Sequence, residues 1–285
     1  MLQAIEATLA TSVVGSARVH GGDTAAAFRL DLADGRRVFA KTHASPPAHF
    51  FDTEAVGLRW LREAHAVAVP EVLLADDSHA GGVDVLVLEW IDEGRPGPTT
   101  EADLGRGLAA LHAAGAPSFG RIDGRTTGSL GLPNDPCDTW VEFFRERRLL
   151  PLARIAEERA ALPEQLVAGV RTVAERLEQL AGPVEAPARL HGDLWAGNRL
   201  VDRNGHSWLI DPACVGGHRE FDLAMMRLFG GFGPEVEAAY DEVHPRAAGW
   251  EERVELWQLA PLVVHAIKFG GGYVGAVERA VRRYA

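Results

Sequence analysis

Residues 188–201, ARLHGDLWAGNRLV, followed by HSWLIDPA at 206–213, decide how this chain reads. Short apolar pieces (ARLH, NRLV, SWLID) predict brief strands separated by loops. Asp193 then falls on a loop after a strand, Asn198 stands at the loop's end, and Asp211 closes the second strand of the next hairpin. The hairpin brings an amide and a carboxylate together, two hard oxygen donors of the kind that suits Mg2+. Asp193 faces the same loop and is free to orient a hydroxyl. His191 is expected to hold the loop by packing and hydrogen bonding. Glu220 and Asp222, in HREFDLAM, read as caps of a helix and braces of that loop.

Upstream, residues 12–43 alternate and turn like a small antiparallel sheet, with turns at Gly21-Gly22-Asp23 and Asp34-Gly35. Lys41 falls on the third strand. The spacing of Phe51, Val56, Leu58 and Leu61 predicts a helix over 49–65, which carries Glu54 to where it could pair with Lys41. Two further strands are expected at PEVLLADD and VDVLVLEWI, the second continuous and buried. DEGRPGPTT, at 92–100, has the composition of a linker. Beyond it, helices are expected at 101–114, 138–149, 163–182, 220–229, 234–242 and 247–283. The fold class is α+β and two-lobed: a β-rich lobe at 1–91, then a mainly helical lobe at 92–285. Small-molecule sites tend to lie in such clefts.

Composition narrows the field. The 285 residues carry a formal charge of −11, which argues against nucleic acid or an anionic membrane as partner. Cys137 and Cys214 form no CxxC pair, so neither a disulfide framework nor a thiol zinc site is suggested. The N-terminal stretch has no basic leader and no run approaches a membrane span, so a cytoplasmic protein is expected. Gly270-x-Gly272-x-x-Gly275 is a literal GxGxxG but lacks the strand and βαβ unit a dinucleotide site needs, and reads as a helix break. There is no P-loop and no HExxH. Only two of the 29 basic residues are lysine, Lys41 and Lys268. Where arginine is the default cation, each lysine invites a reason for a compact ammonium.

The layout H-x-D-x-x-x-x-N with a later Asp, a strand lysine and a helix glutamate resembles the protein-kinase pattern. The segments GSLGLPN and WVEFFRERRLLP (128–151), LHGDLWAGN (190–198), LIDPACVGGHREFDLAMMRLFGGF (209–232) and WQLAPLVVHAIKFGGGYVGAVERAVRRY (257–284) resemble the fructosamine (ketosamine) kinases, in the aminoglycoside-phosphotransferase-like branch of that fold. The resemblance implies ATP-dependent phosphorylation of a sugar hydroxyl on a ketosamine or glycated lysine, with Mg2+ as cofactor. It implies Asp193 as catalytic residue and Asn198 and Asp211 as metal ligands. The nucleotide would fall to Lys41, Glu54, Gly21, Gly22, Glu89, Trp90 and Ile91, and Trp195, His265 and Phe269 are candidate substrate contacts. Val264 and Ile267 stand where the family often has asparagine. Another acceptor (an aminoglycoside, choline or a sugar) would keep the mechanism, although residues 257–285 hold only Glu278 as an acid, unlike a pocket for a polycation. A non-catalytic nucleotide-binding protein is the other alternative.

Overall fold

In a computed structural model, which describes residues 2–19, 25–79 and 82–285, the alternation of residues 13–43 becomes three antiparallel strands: β1 (Val13–Val19), β2 (Ala26–Leu32) and β3 (Arg37–His43). Gly35, at a φ of 86°, closes the β2–β3 hairpin in a conformation that costs glycine little. The Gly21-Gly22 turn lies outside the described residues. A short helix, α1 (Leu2–Leu9), precedes β1, and α2 (Phe50–Glu63) follows β3. β4 (Val72–Asp76) and β5 (Asp84–Glu89) complete a sheet of order β1-β2-β3-β5-β4.

β5 is buried on both faces, and its alternation assigns each side chain. Val85 and Val87 join Ile5, Leu30 and Val38 in a small core beneath α1. Leu86 and Leu88 join Phe51, Leu58 and Leu61 in the main core, which continues into the helical lobe through Leu108, Phe143 and Trp257.

Residues 92–99 do not hang free as a linker. The Gly94 N–H donates to Val201 O at 2.8 Å, and a Cβ there would come within 2.4 Å of Asp202 O, so only glycine allows the approach. Thr100, at the start of α3 (Thr100–Ala113), donates its hydroxyl to Gly205 O at 2.6 Å. The segment is docked on the hairpin of β7 (Arg199–Val201) and β8 (Ser207–Leu209).

The helical lobe departs from the sequence expectation at three places, the simplest being that the helix expected over 163–182 is divided into two helices at Arg176. The helix expected over 138–149 runs on to 158 as α4 (Trp140–Phe144), a π-helical turn (Arg145–Leu149) and α5 (Leu150–Glu158). Pro151 sits in the first turn of α5, where its missing N–H is tolerated. The single helix expected over 247–283 is two, α10 (Trp250–Phe269) and α11 (Gly272–Tyr284), because Gly270 and Gly271 adopt positive φ between them. Between α5 and α10 come α6 (Glu164–Glu175), α7 (Leu177–Leu180), β6 (Ala188–Leu190), β9 (Val215–Gly217) paired with β6, α8 (Glu220–Phe229) and α9 (Pro234–Val243).

Candidate active site

Lys41 lies opposite Leu86 of β5, so the pleat turns it to the face that packs on α2. Its Nζ is 2.8 Å from Glu54 Oε1 and also pairs with Asp211. Burial opposes the ammonium, but Glu54 and Asp211 outweigh it and hold Lys41 above its ordinary pKa. Burial pushes the Glu54 carboxyl up, Lys41 pulls it back and Asp211 adds to the rise. Two carboxylates around one ammonium leave a net negative charge.

The loop after β6 is fixed from below. Asp222, fully buried in the first turn of α8, accepts the His191 N–H at 2.7 Å and the Gly192 N–H at 2.9 Å. His191 Nε2 is 2.9 Å from Ile210 O and must donate, while Nδ1 accepts the Asp193 N–H at 3.3 Å. The ring is therefore a structural link between the loop and the strand end, as its sequence position suggested. Gly192 has a φ of 81°, and a Cβ on it would lie 2.1 Å from Ala213 O. Asp222 braces the loop, and among the described residues it makes no hydrogen bond to the N-terminal N–H groups of α8. Glu220 has a different task from the one expected: it is buried and pairs with Arg253 at 2.6 Å and with Trp257 Nε1 at 2.9 Å.

Asn198 ties the chemistry together. Its Nδ2 donates to Asp193 O at 2.9 Å, to Asp193 Oδ2 at 3.0 Å and to Asp211 O at 3.4 Å. Those acceptors fix which end of the amide faces them and leave the lone pairs of Oδ1 for another partner. Burial raises the Asp193 carboxyl above its ordinary pKa, against the pull of His191, Asn198 and His265 and with a push from Asp211. Asn198 Oδ1 and the Asp211 carboxylate are hard oxygens beside an excess of negative charge, a donor set that fits Mg2+ completed by phosphates and water.

A cleft of about 830 Å3 connects these groups to Glu89, Trp90 and Ile91 at the end of β5, between Phe39 and Leu88 above and Leu200 and Ile210 below. The same cleft reaches Trp195, His265 and Phe269, while Lys41 and Glu54 line a neighbouring cavity that shares Asp193 and Asp211 with it. The cleft adds two rings the sequence did not single out, Phe229 and Tyr273. Phe229 lies 5.7 Å from Trp195 and 5.1 Å from His265, and Tyr273 lies 5.0 Å from His265. The break at Gly270-Gly271 was the available signal, because it turns α11 back so that Tyr273 meets α10. Lys268 is exposed beside the Phe269 ring, 5.0 Å from its centroid, and lines none of the cavities around Asp193. Among the described residues, no helix is long and apolar enough to cross a membrane.

The family model for fructosamine kinase matches residues 2–285. A probable ketoamine kinase of Thermus thermophilus is 38% identical over 92% of this chain and 91% of its own. A chloroplastic protein-ribulosamine 3-kinase of Arabidopsis thaliana is 35% identical over 93% of this chain and 80% of its own. Among solved structures, a Thermobifida fusca chain assigned as a fructosamine-3-kinase superposes with a TM-score of 0.91 at 39% identity, covering 100% of this chain and 98% of the other. An aminoglycoside phosphotransferase in complex with ADP and hygromycin B superposes with a TM-score of 0.65 at 18% identity, over 100% and 99% of the two chains, a likeness of fold alone.

Proposed function

The chain belongs to the fructosamine kinase family and is an ATP-dependent kinase of ketosamines, and from that premise we propose how its residues divide the reaction. Asp193 orients the ketosamine hydroxyl and takes its proton as the oxygen bonds to the γ-phosphorus and the bond to ADP breaks. Phosphoryl transfer has a loose transition state, so positioning and charge neutralisation count for more than basicity. Lys41, fixed by Glu54, neutralises phosphate oxygens, and the backbone of 89–91 holds the adenine edge. Asn198 Oδ1 and Asp211 would hold Mg2+, which when bound neutralises charge on the phosphates. Trp195, His265 and Phe269, with Phe229 and Tyr273, form the acceptor side. Residues 1–91 then serve as the nucleotide lobe and 92–285 as the catalytic and acceptor lobe.

The observation that carries this reading is the single chain of contacts from Glu54 through Lys41 and Asp211 to Asn198 and Asp193. The test is ADP release over fructosyl-, ribulosyl- and erythrulosyl-lysine, with choline and an aminoglycoside as controls. Asp193→Ala should cut turnover by roughly 10²–10⁴ while nucleotide binding persists. Near-normal turnover in that variant would sink the assignment of Asp193.

A further inference from the structure

A second cavity, of about 190 Å3, opens against Asp193 and His265 behind the 127–132 loop. Its walls are mostly apolar, with Leu132, Phe143, Phe221, Met225 and Val264 among them, and one lysine or arginine lines it, Arg148. Arg148 is only 8% exposed. Its Nη1 donates to Pro133 O at 2.8 Å and Arg147 O at 2.9 Å, its Nη2 to Asn134 Oδ1 at 2.6 Å, and the guanidinium lies 4.6 Å from the Phe143 ring centroid. Every one of those oxygens is neutral.

The other buried arginines are treated differently. Arg121 pairs with Asp123, Arg219 with Glu185 and Arg253 with Glu220. Among the described residues Arg148 has no carboxylate within ion-pair distance, and burial alone draws its pKa down. Burying an unpaired charge is costly, and a guanidinium does not shed its proton to escape the cost. Of its five N–H donors, three are used, so one on Nε and one on Nη2 have no acceptor among the described residues.

Resting on the ketosamine-kinase reading, we propose that this cavity takes a carboxylate carried close to the ketosamine nitrogen, with Arg148 as its counter-charge. An α-amino acid glycated on its own amine presents such a group a few bonds from the hydroxyl at Asp193. A glycated lysine side chain within a protein presents none there. The apolar walls suit the amino acid's side chain, and a planar carboxylate matches a guanidinium donor pair.

The experiment compares kcat/KM of the wild-type protein for fructosyl-valine and for its carboxamide, with an ε-fructosyl-lysine peptide as reference. The acid should be preferred by roughly ten- to a hundredfold, mainly through KM. In Arg148→Met the acid-to-amide ratio should fall to about one, and in Arg148→Lys it should lie between. The ratio is read within each protein, so a general loss of activity does not mimic the effect, and if Arg148→Met fails to fold the wild-type ratio still decides. Equal use of acid and amide by the wild type, or activity on the peptide alone, overturns the carboxylate site and leaves the kinase reading standing. Inactivity on every ketosamine overturns both.

Discussion

Lys41 and Arg148 are both cations withdrawn from water, and the fold answers their charge in opposite ways. Lys41 is met by Glu54 from α2 and by Asp211, two residues beyond the end of β8, so two carboxylates surround one ammonium. Arg148, in the π-helical turn before α5, is met among the described residues by carbonyl and amide oxygens and the Phe143 ring, with no carboxylate. The first arrangement is assembled before any ligand arrives and carries surplus negative charge. The second carries surplus positive charge beside a cavity. Where the charge is already balanced by protein groups, the residue is a fixed part of the machinery; where it is left over, the balance is available to a ligand.

The largest effect should come from breaking the balanced arrangement. Lys41→Met leaves Glu54 and Asp211 without their cation, and losing one partner of a buried ion pair costs roughly 3–5 kcal/mol. Urea unfolding of the apoprotein should report that loss, alongside near-complete loss of ADP release. Lys41→Arg should keep more of the stability and little of the turnover, because a planar fork cannot take the place of a compact ammonium between Oε1 of Glu54 and Asp211. If Lys41→Met unfolds at the wild-type urea concentration, the pairing contributes nothing and the contrast with Arg148 disappears.

How each residue could be read from the sequence follows the same division. The contacts among Lys41, Glu54, Asp193, Asn198 and Asp211 were legible because they depend on spacing along strands, a helix and one loop, and spacing is what a sequence displays. The rarity of lysine sharpened Lys41 and left Lys268 open; Lys268 lies outside the cavities around Asp193. Arg148 was invisible as one of 27 arginines, since what distinguishes it is the absence of a carboxylate in space. Glu220 was misread as a cap because a carboxylate in a first turn usually serves the helix end, whereas here Arg253 reaches it from α10, 33 residues on. The helix expected to end at 149 continues past Pro151 because the π-helical turn before it restarts the hydrogen-bond frame, so that proline falls in a first turn.

A smaller effect is expected from the unbalanced cation. Arg148→Met removes hydrogen bonds to Pro133 O, Arg147 O and Asn134 Oδ1, worth about 1 kcal/mol each, and also relieves an uncompensated buried charge. The two contributions oppose, so the net loss should be about 1–2 kcal/mol, well below that of Lys41→Met under the same urea titration. A loss as large as the one at Lys41 would make Arg148 chiefly a brace for the 133–134 chain and would blunt the contrast between the two cations.

The smallest effect should have the opposite sign. Asp193 lines the same cavity as Arg148 and likewise has no ion-pair partner at hand among the described residues; its nearest amide is Asn198. Burial raises its carboxyl in the folded protein, so the folded chain holds that proton more tightly than the unfolded chain. Below the unfolded value the ionised form is absent and carries no penalty; as pH rises through the raised folded value the penalty appears in full. Asp193→Asn removes the charge and keeps an oxygen for Asn198, so at neutral pH it should raise stability modestly while abolishing turnover, as functional sites often trade stability for activity. The gain should shrink as the medium is acidified toward the ordinary carboxylate range, and the acid limb of wild-type kcat/KM should lie above that range. Thermal melts of both proteins across pH, with the pH–rate profile beside them, check the sign. A variant less stable than wild type at neutral pH would show that Asp193 is held by its neighbours as firmly as Lys41 is.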